Sequence, residues 1–131
     1  FDPHTKNFAL VHSGWKGTYK KIANKAVSLL IKNKSNANDI IVYCGVSISS
    51  NNYEVDSDVA SLFSDKNIEL KGNKFLLDIK SQIEDDLVLC GINKKNIFIT
   101  KECTYDNKNL PSYRRDGKKS GRITFFMGRN G

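Results

Sequence analysis

The chain has 131 residues, 39% hydrophobic and 27% charged, with a net charge of +7. That is enough for one domain with a true core, too little for two, and too apolar for a disordered chain. No apolar run nears the roughly 18 residues of a membrane span, and Lys6 and His12 interrupt the apolar start where a secretory signal needs continuity.

Charge is segregated along the chain. Residues 1–38 hold seven Lys against one Asp, residues 39–100 six Lys against ten acids, and residues 101–131 eight basic residues against three acids. An even basic coat points to nucleic acid; two basic ends around an acidic middle fit a localised anion site equally well. Lys outnumbers Arg 17 to 4, a bias of the kind an AT-rich genome produces, which discounts the Lys excess as a functional signal. Cys44, Cys90 and Cys103 are odd in number and form no C-x-x-C pair. This argues against a disulfide framework and a zinc finger, and for a reducing cytoplasm. The chain opens on Phe1-Asp2-Pro3 without an initiator Met, read as either processing or a piece of a longer protein.

In chain order, Phe8 to Val11 reads as a short buried strand. It runs into the turn His12-Ser13-Gly14-Trp15-Lys16-Gly17-Thr18. A helix follows, with Tyr19, Ile22, Ala23, Ala26, Val27 and Leu30 on one face and Lys20, Lys21, Asn24, Lys25 and Ser28 on the other. After a loop at 33–38, Ile40 to Cys44 is a second buried strand. Asp56 or Ser57 caps a short helix carrying Val59, Leu62 and Phe63. Asn67 to Lys74 reads as a turn. Asp78 is placed to cap a helix with Ile79, Ile83 and Leu87, which Gly91 ends. Asn96 to Thr100 and Ile123 to Met127 are the last two strands. Strands alternating with helices predict a single α/β domain over 1–131, a mixed layered sandwich. Cys103 to Arg122 is long, polar and aperiodic, a segment either disordered or functional.

Two segments can carry chemistry. In His12–Thr18, a strand ends in a Gly-bearing turn that opens a helix, the usual geometry for an anion on free N–H groups, with Lys16 adding charge. An ordinary strand–helix turn with a packed Trp15 is the competing reading. In Ser112-Tyr113-Arg114-Arg115-Asp116-Gly117 and Gly121-Arg122, three of the four arginines fall within nine residues. Against a Lys background, the planar fork that binds phosphate or carboxylate bidentately is the reason to keep Arg; a solvated hairpin tip competes. Cys103 beside basic residues has the setting for a lowered pKa or is a small buried residue. Cys44 and Cys90 read as core.

The ordered set resembles one family. His12-Ser13-Gly14-Trp15-Lys16-Gly17, Tyr53-Glu54-Val55, Leu77-Asp78, Cys103-Thr104, Ser112-Tyr113-Arg114-Arg115-Asp116 and Gly121-Arg122 are similar to the H-A-G-W-R-G, [YF]-E-V, L-D and C-T…S-Y-R-R-D…G-R motifs of the polyphenol oxidase (laccase-domain) family, also described as purine nucleoside phosphorylases. Lys16 stands where the family has Arg. Gly45 to Ser50 lacks both prolines and the second glycine of a family turn, and Asn51 or Asn52 replaces a frequent Cys.

The resemblance implies the C-terminal half of the family domain, with part of its sheet absent. It implies a cytoplasmic enzyme that phosphorolyses adenosine or inosine, with adenosine deamination alongside. The implied catalytic residues are His12, Arg114 and Arg115; Lys16, Trp15, Tyr113 and Arg122 are implied for substrate and phosphate. His12 is implied as one ligand of a Zn2+ ion (copper also fits imidazole and thiolate), the other His and a Cys lying upstream. The implied partners are a purine nucleoside and phosphate, with neither nucleic acid nor membrane, and the truncated chain is expected to be inactive. A copper-dependent polyphenol oxidase, a basic nucleic-acid-binding module and an inactive fragment are the alternatives.

Overall fold

The computed structural model describes residues 1–128; the last three residues of the expected 1–131 domain lie outside them. In chain order the elements are helix α1 (Trp15–Tyr19), helix α2 (Ile22–Lys32), strand β1 (Val42–Cys44), strand β2 (Glu54–Val55), helix α3 (Ser57–Ala60), strands β3 (Ile68–Lys71) and β4 (Lys74–Leu77), helix α4 (Ile79–Leu89), strand β5 (Ile97–Ile99) and the single turn α5 (Tyr113–Asp116). This is the mixed α/β class that the alternating patterns predict. No helix among the described residues is long and apolar enough to cross a membrane. Two compact units form, Phe1–Cys44 with Ile79–Ile99, and Gly45–Asp78 with Thr100–Phe126.

In the first unit β1 and β5 run parallel, pairing Val42 with Ile97, Tyr43 with Phe98 and Cys44 with Ile99. The period-2 alternation turns Val42, Ile97 and Ile99 toward a core made with Val27 and Leu30 of α2, Leu87 of α4, Ile40 and Ile92. Burying each aliphatic side chain contributes about 1.5–3 kcal/mol. Lys21 Nζ donates to Asp86 Oδ1 at 2.7 Å, Gln82 Nε2 donates to the same oxygen at 3.0 Å, and Asn24 Nδ2 reaches the Asp86 carbonyl at 3.3 Å, joining the two helices. The helix expected to run on from Tyr19 is broken at Lys21, whose φ of +56° is left-handed. That conformation costs a non-glycine residue about 1–2 kcal/mol; the ion pair to buried Asp86 offsets it. Gly91, at φ +89°, follows α4 as expected. At the chain start, Asp2 is buried and accepts from the His4 amide, the Thr5 amide and the Thr5 hydroxyl. Phe1 and Ile41 exchange two backbone hydrogen bonds.

In the second unit β2, β4 and β3 form an antiparallel sheet in that spatial order. Val55, Ala60, Leu76 and Leu77 are buried in it. The expected turn over Asn67–Lys74 is shorter than predicted. Ile68–Lys71 pair with Lys74–Leu77 as a hairpin, and only Gly72, at φ +61°, and Asn73 turn. The Ile68/Leu70 alternation is too brief to stand out in sequence, and Phe75 across the hairpin completes it.

Two expected strands do not form. Phe8–Val11 pairs with no strand among the described residues, and Phe8, Leu10 and Val11 are 42%, 54% and 38% exposed. Ile123–Met127 is likewise outside any described strand, with Phe126 at 92% exposure. Apolar pattern gives a segment the tendency to be buried; a strand also needs a neighbouring backbone to satisfy its N–H and C=O groups. Phe125 instead lays its ring on Gly45, where a Cβ would come within 2.7 Å of it.

Candidate functional site

In the first unit the His12–Thr18 turn is closed by buried Thr18. Its amide donates to the Gly14 carbonyl at 2.8 Å, and its hydroxyl bonds Ser13 Oγ at 2.9 Å and the Gly14 carbonyl at 3.1 Å. His12 is exposed. Its ring lies against Gly14, where a Cβ would sit 3.4 Å from Nε2, an ordinary van der Waals contact. Gly14 is the N-cap of α1, which has five residues. The anion site expected at the start of a long helix therefore has only a single turn of dipole behind it. Lys16 Nζ lies 5.3 Å from the centre of the Trp15 ring, a cation–π contact that pairs these two expected binding residues.

In the second unit the 103–116 loop is folded around Arg115. Its Nη1 donates to the carbonyls of Thr104, Tyr105 and Asn107 at 3.0, 2.9 and 3.2 Å. Nη2 donates to the Leu110 carbonyl and, with Nε, to the Asp116 carboxylate, each at 2.8 Å. The Ser112 hydroxyl caps α5 by accepting from the Arg115 amide. The hydrogen bond to Asp116 pushes the Arg115 guanidinium upward and holds the Asp116 carboxyl below its usual range. Every donor of this guanidinium is engaged inside the loop, so the geometry gives Arg115 the task of shaping the loop rather than meeting a ligand.

Its neighbour Arg114 points elsewhere. The exposed guanidinium sits 5.5 Å from the centre of the Tyr53 ring. Burial pushes the Tyr53 phenol up, and the charge of Arg114 opposes that shift. Asp56 is held below the usual carboxylate range chiefly by its hydrogen bond to Lys74, with a smaller contribution from Arg114. Tyr113 is 64% exposed. Arg122 spends Nη1 on the carbonyls of Ser120 and Gly121, at 2.9 and 3.0 Å.

Cys103 is buried, and its sulfur accepts from the Ser49 amide at 3.2 Å, the Ser49 hydroxyl at 3.1 Å and Asn52 Nδ2 at 3.6 Å. Burial alone would raise this thiol's pKa; the Ser49 hydroxyl and amide, with the Asp106 and Tyr105 amides, outweigh it and lower the value. Asn52 also donates to both Asp106 oxygens at 2.9 Å. Burial pushes the Cys44 and Cys90 thiols up, though both are half-buried rather than in the fully buried core expected for them. Sequence reasoning missed Ser49 altogether and did not pair Asn52 with Cys103 or the motif residue Tyr53 with Arg114. The only signal was their place in or just before the family motif at 53–55.

Among the described residues no three His, Cys, Asp or Glu side chains gather where an ion could be held. Zinc needs at least three protein ligands, and this chain brings one exposed imidazole to the expected position. The residues present do not by themselves fit the zinc or copper centre that the resemblance implies.

Residues 1–130 match the family described as multi-copper polyphenol oxidoreductase laccase. A purine nucleoside phosphorylase of Staphylococcus epidermidis is 34% identical over 128 residues, 92% of this chain and 47% of the relative. The purine nucleoside phosphorylase YlmD of Bacillus subtilis is 32% identical over 137 residues, 98% of this chain and 49% of the relative. The crystal structure of YlmD from Geobacillus stearothermophilus superposes with a TM-score of 0.78 at 26% identity, over 85% of this chain and 45% of that one. The hypothetical protein YfiH of Bacillus licheniformis gives a TM-score of 0.75 at 30% identity, over 80% and 43%. The chain thus spans about half the length of the relatives it matches. With nearly all of its residues inside that match and its helices and small sheets shared with YlmD and YfiH, the chain belongs to the multi-copper polyphenol oxidoreductase laccase family.

Proposed function

We propose that the chain is the phosphate-binding half of a purine nucleoside phosphorylase, which takes adenosine or inosine and inorganic phosphate to free base and ribose 1-phosphate in the cytoplasm. The names of the relatives support the reaction class. The observation that carries the reading here is Arg114: an exposed guanidinium over the Tyr53 ring, in a loop that Arg115 holds shut. The guanidinium lies over the aromatic face, and it carries the bidentate fork from which a phosphate dianion accepts. A phosphate oxygen bonds to C1′ as the C1′–N9 bond breaks; the electron pair leaves with the purine, which takes a proton from solvent. Arg114 holds the attacking dianion with Arg122 as further positive charge, and Tyr113 is the ring on which the base stacks.

No step is routed through a metal, and the copper-dependent oxidase alternative is decided by the same test. The test joins this chain to the unmatched part of the S. epidermidis relative and follows phosphate-dependent release of hypoxanthine from inosine. Turnover that requires phosphate is the expected result. Release at the same rate without phosphate would refute phosphorolysis, and oxidation of a phenol without nucleoside cleavage would favour the oxidase.

A further inference from the structure

Arg114 has a carboxylate for a neighbour. Its charge reaches Asp56 and helps to hold that carboxyl below the usual range. An arginine pairs with a carboxylate through the same fork that takes a phosphate, so a carboxylate left free at Asp56 competes with phosphate for Arg114. We propose that Lys74 is a positioning residue: by occupying Asp56 it leaves the Arg114 fork unpaired over Tyr53 and open to phosphate. This task rests on the phosphate-binding role proposed for Arg114 above.

Strand register brings Lys74 and Asp56 together. Between β2 and β4, Glu54 faces Leu76 and Val55 faces Phe75. The next step along both strands sets Asp56 opposite Lys74, and Lys74 Nζ donates to Asp56 Oδ1. Asp56 is also the N-cap of α3, where an aspartate usually accepts from amides of the first turn, yet its carboxylate makes no cap hydrogen bond. That carboxylate is committed to Lys74 instead. The second acid of this edge is occupied in the same way. Lys71 faces Lys74 across the β3–β4 hairpin and lies 3.6 Å from Glu54. Two lysines opposite each other are unfavourable by themselves; here each has an acid from residues 54–56 to offset the repulsion. Arg114, in contrast, contacts the Tyr53 ring and makes no hydrogen bond or ion pair among the described residues. The hairpin lysines thus neutralise both acids beside it, and the one fork of the cluster is left without an anion.

The experiment has two readouts. NMR signals of the Arg114 side chain, assigned by their loss in Arg114→Lys, report its place in the 131-residue chain, because the Tyr53 ring current shifts protons that lie over it. In Lys74→Met that shift should be lost as Arg114 turns to Asp56. In the chain joined to the unmatched part of the S. epidermidis relative, the same variant should raise the KM for phosphate about three- to tenfold, the factor expected when an arginine is captured for two-thirds to nine-tenths of the time. Lys74→Met with Asp56→Asn should restore both the ring shift and the KM, and Lys74→Arg should keep both near wild type. Lys71→Met removes the same charge from the same hairpin without freeing Asp56, and should leave both in place. The proposal is overturned if Arg114 stays over Tyr53 in Lys74→Met, or if the double variant restores neither readout. It is overturned too if Lys71→Met raises the KM as much, which would make the effect one of net charge. The ring shift is read without turnover, so an absence of phosphorolysis in the wild-type protein would refute the reaction while leaving the placement of Arg114 to be judged by NMR.

Discussion

Arg114 and Arg115 are chemically identical and adjacent, yet their surroundings assign them different work. Arg114→Lys keeps the charge and loses the fork. A charge-assisted hydrogen bond of this kind contributes about 1.5–3 kcal/mol, so in the completed enzyme phosphorolysis should fall roughly ten- to a hundredfold. The melting curve should stay in place, and the loss should appear in the KM for phosphate. A fall in kcat with the KM for phosphate unchanged would make Arg114 structural. Arg115→Lys should behave differently: with the carbonyls of Thr104, Tyr105, Asn107 and Leu110 released, amide exchange over 103–110 should quicken and the melting temperature drop before any assay is run. Cys103 gives a pH-dependent case. Its folded pKa is lowered, so its contribution to stability is present above the unfolded thiol value and is lost as pH falls through the folded one. Ser49→Ala should raise the thiol pKa, read by thiolate absorbance, and should destabilise the protein more at alkaline pH than at pH 6. An equal effect at both would show that Ser49 serves packing alone.

Among the elements, the joint between α2 and α4 depends on one charge pair. Asp86 is 4% exposed and has Lys21 as its counter-ion. Lys21→Met should cost about 1.5–3 kcal/mol in urea unfolding, because a buried carboxylate without its cation is worse than no charge at all. Lys21→Met with Asp86→Leu should recover part of that loss, less than all because buried Gln82 also donates to Asp86, and no recovery at all would show that the lost charge pair is not the source of the cost. The turn at the chain start is held by Asp2, whose carboxyl lies well below the usual range, chiefly through the Thr5 hydroxyl. A depressed carboxyl pKa stabilises above the unfolded value near pH 4 and loses that contribution as pH falls below it. Asp2→Asn should therefore lower the melting temperature at pH 7, and the gap to wild type should shrink steadily below pH 4. A gap that stays constant with pH would mean that shape, not charge, holds the turn.

For the molecule as a whole, the ligand count leads to a simple outcome. One exposed imidazole at the expected position cannot hold an ion against water, so dialysed 131-residue chain should retain far less than one equivalent of zinc or copper by elemental analysis. A stoichiometric ion would show that side chains from elsewhere in the chain converge on His12. The exposed apolar residues, from Phe8 to Val11 and at Tyr43, Phe98 and Phe126, predict that the isolated chain binds an apolar dye.

What the sequence determined on its own is local or ordered. The amphipathic run into α2, the apolar strands β1 and β5, the start of α4 after Asp78 and its stop at Gly91 each depend on a few consecutive residues, and each is present. The family followed from the order of short motifs, which needs no geometry. Tertiary structure alone decided the rest, because it turned on partners distant in sequence. Phe8–Val11 has the composition of a buried strand, but whether a neighbouring backbone is there to pair with it is not written in those four residues. Nothing in the letters of an Arg-Arg pair says which guanidinium turns inward to the loop carbonyls and which lies on Tyr53. Ser49 and Cys103 are 54 residues apart, and the lowered thiol exists only because folding brings a hydroxyl and several amides to one sulfur atom.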